Sequence, residues 1–233
     1  MTEISFVYPF YNNIECVKQR LQTWSSFSPN ILKELQFVLI DDCSDEVIDK
    51  TYFEQFNLNL IVVRIQTDIM WNQSGAHNLG SYLADSQWLF MMDIDHWIDE
   101  RSCEKLLHLE KHKNNSFFFP RHYLTGNLLP APNIYLMTKE MFWKIGGYDE
   151  DFAGCYGYED KLLHMFIKEQ TDHSVLSSVC VNVDNAPTRN LDRTRDRNKE
   201  LLNIKTKQYR SGSYKNGKLM RFEWEKIIQK ELK

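Results

Sequence analysis

Glycine and proline are scarce, nine and six among 233 residues. That is too few for a collagenous, low-complexity or linker-dominated chain, so each marks a particular turn. The five cysteines, Cys16, Cys43, Cys103, Cys155 and Cys180, are odd in number, widely spaced and free of any C-x-x-C pair. A disulfide framework and a zinc knuckle are thereby excluded, and a reducing compartment is expected. No run approaches the ~18 apolar residues of a membrane span. The start, MTEISFVYPFYNN, puts Glu3 where a secretory signal carries basic residues, so no signal peptide is predicted and the expected location is cytoplasmic.

What is present is a globular composition: 42% hydrophobic and 26% charged residues, with a generous 13% aromatic content. At roughly 100–200 residues per domain, the length allows one large domain or a domain with an appendage. The net charge of −4 hides a division. Residues 1–186 carry 14 Lys+Arg against 26 Asp+Glu, and residues 187–233 carry 14 against 6. Half the basic groups therefore lie in the last fifth, and the expected division is a catalytic domain over 1–184 and a basic C-terminal extension over 185–233.

Short apolar runs alternate with segments of helical period through the first hundred residues. Ile4 to Tyr8, Phe37 to Ile40, Leu60 to Ile65 and Trp88 to Met92 read as strands. Between them, Asn12 or Asn13 caps a helix bearing Val17, Leu21 and Trp24, and Ser74 starts one bearing Ala76, Leu79 and Leu83. This β-α-β order implies a mainly parallel, twisted α/β sheet flanked by helices. Beyond residue 100 the pattern predicts a helix from Glu100 to Lys113, strands at Phe117 to Phe119 and Ile134 to Met137, and helices at Met141 to Ile145 and Lys161 to Ile167. The alternation of Val175, Ser177, Val179, Val181 and Val183 predicts a half-exposed strand.

In a parallel α/β sheet, ligands collect beyond the carboxyl ends of the strands. Three polar segments directly follow apolar strands: Pro9-Phe10-Tyr11-Asn12, Asp41-Asp42-Cys43-Ser44 and Asp93-Ile94-Asp95-His96. Asp93 and Asp95 alternate along an extended segment and so point to one side. Two carboxylates beside an imidazole suit Mn²⁺ or Mg²⁺ better than zinc, although D-x-D also occurs at ordinary turns and caps. A fourth segment, Gly146 to Asp160, holds four of the nine glycines and ends with Glu159 and Asp160 at a helix N-terminus. There the helix dipole favours ionised carboxylates, as a general base or as plain caps.

Taken in order, P-F-Y-N, L-I-D-D-C-S, N-Q-S-G-A-H-N-L-G, M-M-D-I-D-H, G-G-Y-D-E-D-F and G-Y-E-D resemble a GT-A fold nucleotide-sugar glycosyltransferase, similar to family two, over about residues 3–170. The resemblance implies that Pro9, Phe10 and Tyr11 pack near the nucleotide base and that Asp41 or Asp42 accepts the base imide N–H. Asn72, Gly75, His77 and Asn78 would line the donor's diphosphate and ribose, with His77 standing where such proteins usually carry Arg. It further implies that Asp95 coordinates a divalent cation directly and Asp93 acts through ribose or water, with His96, His164 or His173 as further ligand candidates. Asp160 would be the base of an inverting transfer, and Glu159 would orient the acceptor.

The implied reaction is metal-dependent transfer of a hexosyl or N-acetylhexosaminyl group from a nucleotide sugar, UDP-sugar favoured over GDP-sugar, to a glycan or other hydroxyl acceptor. A retaining transferase, a nucleotidyltransferase and a catalytically silent nucleotide-sugar or glycan-binding module are the alternatives. Arg121, His122 and Tyr123 begin a loop within reach of donor or acceptor. The tail cations Arg189, Arg193, Arg195 and Arg197 are expected to form a solvated face, a lid over the donor, or a contact to acceptor or to an anionic membrane surface. No nucleic-acid recognition motif accompanies them.

Overall fold

The four apolar runs of the first hundred residues are strands because each is short, continuous and rich in β-branched or aromatic residues, and all four are buried almost throughout. The structure, a computed structural model, describes residues 2–122, 128–184 and 191–232. In chain order come β1 (Ile4–Phe10), α1 (Ile14–Ser25), α2 (Pro29–Leu32), β2 (Leu35–Asp41), α3 (Lys50–Glu54), β3 (Leu60–Ile65), α4 (Gln73–Leu83) and β4 (Trp88–Met91). They are followed by β5 (His96–Trp97), α5 (Glu100–Leu107), β6 (Asn115–His122), β7 (Leu128–Thr138), α6 (Lys139–Lys144) and a 3₁₀ turn at Glu150–Phe152. The chain continues with α7 (Glu159–Gln170), β8 (Asp172–Val175), β9 (Asn182–Val183), α8 (Asp196–Arg210) and β10 (Trp224–Lys230).

Eight strands form one sheet in the order β10-β3-β2-β1-β4-β7-β6-β8, and β5 pairs with β9 in a second, two-stranded sheet. The run β3-β2-β1-β4 is parallel. β7 adds antiparallel to β4, and β10 adds antiparallel to β3 at the other side. Alternation along β1 sends Phe6 and Tyr8 to one face and Val7 to the other, which builds two cores. On the first, Trp24 of α1 stacks on Phe37 with ring centroids 4.2 Å apart. On the second, α4 lies unusually close to the strands: a Cβ on Gly80 would fall 2.5 Å from both Ile40 Cδ1 and Val7 Cγ1. That approach, open only to glycine, sets the N-terminus of α4 beside the carboxyl ends of β1 and β2.

Some expectations are corrected. The helix expected to reach Lys113 stops at Leu107 because Lys111 Nζ donates to the Leu106 carbonyl (2.6 Å) and pairs with Glu3 (2.6 Å). The strand expected over 175–183 is broken by a turn at Ser177-Ser178. Val175 ends β8, and Val179 and Val181 are buried in the core. Asn13 stands at the N-cap of α1 but its side chain makes no capping bond. Asn12, in the left-handed region at φ 58°, instead ties β1 to β2: its N–H donates to Ser44 Oγ (2.8 Å) and its Oδ1 accepts from Asp45 N (2.8 Å). Tyr123, the side chain of His122 and Arg189 lie outside the described residues.

Candidate active site

The strand order changes direction between β1, which leads to β2, and β4, which returns on its other side. A cleft of about 800 Å³ opens at that point. Of the residues expected at a site, Pro9, Phe10, Tyr11, Asp42, Asn72, Asp93, Asp95, His96, Glu159 and Asp160 line it. Their meeting follows from topology, since each segment ends or begins an element at the same edge of the parallel strands.

Asp41 and Asp42 part company. Asp41 accepts from Ser44 N (2.8 Å) and pairs with Arg64, so its carboxylate belongs to the strand ends. Asp42 faces the cleft, its Oδ1 accepting from Asn72 Nδ2 (2.9 Å), and burial pushes its pKa up to about 7. Gly75 is a contact point: a Cβ there would come 2.4 Å from Asn72 Oδ1 and 2.6 Å from the Phe222 ring. Asn78 is turned away from the cleft. It donates to the Tyr148 carbonyl (2.9 Å) and Glu150 Oε1 (2.8 Å) and accepts from Tyr148 N (2.9 Å), which secures the Gly-Gly-Tyr-Asp-Glu loop.

His77, fully buried, stacks on Tyr148 with centroids 5.1 Å apart. Its Nε2 stands 3.8 Å from Asp93 Oδ1, an electrostatic approach too long for a hydrogen bond. Asp93 Oδ1 accepts from Gln73 Nε2, and Oδ2 accepts from Asn133 Nδ2 (2.6 Å). Burial acts to raise the Asp93 carboxyl, but the neighbouring imidazoles and the Asn133 amide outweigh it and hold it below its usual range.

The D-x-D turn is fastened from behind. β5 pairs with β9, Asp184 N donates to the Asp95 carbonyl (2.8 Å), and the Asp184 carboxylate accepts from Trp97 Nε1 (3.0 Å) and pairs with the buried Arg20 of α1. Among the described residues, Asp93, Asp95 and His96 form a group whose ligand atoms lie within 4.8 Å of one another. Asp95 Oδ1 and His96 Nδ1 approach to 2.6 Å without hydrogen-bond alignment, so both buried atoms are left without a partner.

A hard divalent cation fits the oxygen donors of this group. The imidazole fits less simply. Arg121 Nη1 lies 3.1 Å from His96 Nε2, and because a guanidinium only donates, Nε2 must accept and the ring proton sits on Nδ1. A cation on Asp95 therefore leaves His96 outside its shell or displaces Arg121. Of the other histidine candidates, His164 packs 4.3 Å from the Phe118 ring, its pKa lowered by burial to about 4. His173 sits on the exposed β8. Neither lines the cleft.

Ahead of α7, Gly154, Gly157 and Tyr158 take positive φ (96°, 80° and 78°), which turns the chain sharply into that helix. Glu159 and Asp160 open that helix. Burial raises Glu159 to about 8, with the Asp160 charge adding to it, and burial raises Asp160 as well. The loop is held from the tail: Asn198 Nδ2 lies 3.0, 2.8 and 2.9 Å from the carbonyls of Phe152, Cys155 and Gly157. Leu191, Arg193 and Arg195 complete the wall. Asp68, in the loop after β3, and Asn133, on β7, also line the cleft without having been signalled by any motif.

A mixed α/β sheet flanked by helices, with a carboxylate-lined cleft at its switch point, is the architecture of a GT-A glycosyltransferase. The profile of "Glycosyl transferase family 2" matches residues 5–163, and the chain belongs to that family. An uncharacterized glycosyltransferase of Haemophilus influenzae is 26% identical over 186 residues, 67% of this chain and 60% of that protein. The chain thus spans 60% of the length of this curated relative. Among solved structures, S. aureus TarS 1–349 is similar at a TM-score of 0.66 and 15% identity, over 81% of this chain and 67% of that one. The same TarS fragment in complex with UDP-GlcNAc gives 0.65 and 15%, over 91% and 74%. GalNAc-T7 with UDP, GalNAc and Mn²⁺ gives 0.60 and 14%, over 80% and 44%. Among the described residues, no helix is long and apolar enough to cross a membrane.

Proposed function

We propose that this family 2 glycosyltransferase is metal-dependent and inverting, and that it moves a hexosyl or N-acetylhexosaminyl group from a UDP-sugar, in preference to a GDP-sugar, to an acceptor hydroxyl. The observation that carries the reading is the meeting in one cleft of Asp93 and Asp95 with Glu159 and Asp160, from distant parts of the chain. UDP or UDP-GlcNAc accompanies the similar TarS and GalNAc-T7 structures, and Mn²⁺ the second, which supports the donor and the ion.

In this reading Tyr11 and Asp42 receive the nucleotide base, Asp42 as acceptor for the imide N–H. Asn72, Gly75, His77 and Asn78 shape the ribose and diphosphate side, the last two by holding Tyr148 and the loop after it. Asp95 and Asp93 hold a Mn²⁺ or Mg²⁺ ion, with His96 beside them. The bound ion supplies positive charge where the diphosphate leaves. Asp160 accepts the proton of the acceptor hydroxyl as that oxygen attacks from the far side of the anomeric carbon. Glu159, protonated at neutral pH, orients the acceptor.

Residues 1–184 would hold donor and base, and 185–233 would act with them as one working unit. All five cysteines are free thiols, which suits the cytoplasm. The test is a thermal-shift screen of UDP-, GDP-, CMP- and dTDP-sugars with Mn²⁺, followed by transfer to an acceptor panel. A donor at 100 Kd stabilises by about 2.7 kcal/mol. UDP-sugars should give the largest shift. No shift with any nucleotide sugar would sink the reading, and binding without transfer would mark a silent module.

A further inference from the structure

Six carboxylates line the cleft: Asp42, Asp68, Asp93, Asp95, Glu159 and Asp160. Most tail cations nearby are engaged elsewhere. Lys205 lies between Asp149 and Asp151, Arg197 donates to the carbonyls of Ala153 and Asp151, and Arg221 donates to that of Glu150. Arg193 and Arg195 are different. Both line the cleft, yet among the described residues neither guanidinium makes an ion pair or a hydrogen bond.

Aromatic faces hold them instead. Arg193 lies 5.3 Å from the Tyr156 ring and 5.9 Å from Trp71, and Arg195 lies 4.7 Å from Tyr156. The platform is itself anchored, with Trp71 4.6 Å from Tyr156 and Trp71 Nε1 donating to the Asp192 carbonyl (2.6 Å). Both arginines are exposed, so each fork keeps its N–H groups on the solvent side of the platform, open to an oxyanion.

The position of the pair indicates which substrate brings that oxyanion. Arg195 Nε stands 3.9 Å from where a Cβ on Gly157 would be, two residues before Glu159, and its charge acts on Glu159. This is the base side of the cleft. The donor diphosphate, in the reading proposed above on which this inference rests, would meet its countercharge in the divalent cation that Asp93 and Asp95 would hold. We propose that Arg193 and Arg195, on the Trp71–Tyr156 platform, bind an anionic group of the acceptor, so that the acceptor is a phosphate- or carboxylate-bearing saccharide.

Calorimetric titration of the full chain, loaded with UDP and Mn²⁺, compares glucose 6-phosphate, glucuronate and glucose. The phosphate and carboxylate probes distinguish the two oxyanions, and at least one should bind about tenfold or more tighter than glucose. In Arg193→Gln/Arg195→Gln that preference should collapse while UDP affinity stays within about twofold. Arg193→Lys/Arg195→Lys, which keeps the charge and loses the forks, should retain part of it. Equal binding of all three probes, or a preference that survives the Gln variant, overturns the acceptor assignment. So does a tenfold loss of UDP affinity in the Gln variant, which would put the pair on the donor. Failure of UDP to bind the unaltered chain overturns the donor reading itself.

Discussion

Lys205 Nζ lies 2.8 Å from Asp149 Oδ2, with the two side chains 7% and 0% exposed. Asp149 also accepts from Tyr214 Oη (3.0 Å) and Gly217 N (3.2 Å), and Lys205 from α8 also pairs with Asp151 (2.6 Å). The carboxylates of the Gly-Gly-Tyr-Asp-Glu-Asp segment are thus a clasp for the tail. Lys205→Met strands a buried carboxylate and should cost about 3–5 kcal/mol in urea denaturation. Burial lowers the Lys205 pKa, but its bonds to Asp149 and Asp151 raise it further, for a net rise. Its contribution is therefore full below the free-lysine value of about 10.4 and fades as pH climbs above it. The Met variant should lack that alkaline loss.

Two carboxyl groups open α7, and their titrations separate the roles proposed for them. Asp160→Asn should leave donor affinity intact and lower transfer by at least ~10²-fold. In Glu159→Gln the ascending limb of kcat/KM against pH should persist, because Glu159, at about 8, is protonated through neutrality. If that variant lost the limb, the base would be Glu159.

Asp42 makes the donor-free protein sensitive to pH. Its folded pKa of about 7 exceeds the free value of about 3.9, so the folded state retains a proton that the unfolded chain releases. Stability should fall as pH rises between those values, by up to ~1.4 kcal/mol per unit. Asp42→Asn, whose amide oxygen can still accept from Asn72, should flatten the difference between denaturation curves at pH 4.5 and 7.5, and an unchanged slope would contradict the burial of this group.

Mn²⁺ titration followed by electron paramagnetic resonance ranks the D-x-D residues. Asp95→Asn should abolish binding. His96→Asn should weaken it by roughly tenfold, the scale for a residue that supports a ligand without being one. A loss as complete as that of Asp95→Asn would bring the ring into the metal shell in place of its contact with Arg121.

The parallel half of the sheet was legible because β1 to β4 carry unbroken apolar runs and α1 and α4 keep a helical period. The cleft was legible for the same reason, since polar residues that follow such strands all emerge at one edge. What escaped depends on partners far along the chain. Trp224–Lys230 alternates poorly and buries only Ile228, and it is a strand because β3 offers it an edge. Nothing around Arg121 announces that it fixes the proton of His96, and nothing near Asp149 points to Lys205. Val175 to Val183 kept a period of two across a turn, so the pattern alone overstated the strand.

The antiparallel seating of β10 on β3, with Phe222 against Gly75, bears on the order in which the protein is finished. While a ribosome has yet to release residues 222–230, β3 is a bare apolar edge and α4 lacks its outer support. A nascent or prematurely stopped chain therefore presents an unpaired strand edge to its neighbours, and the last strand is what closes it.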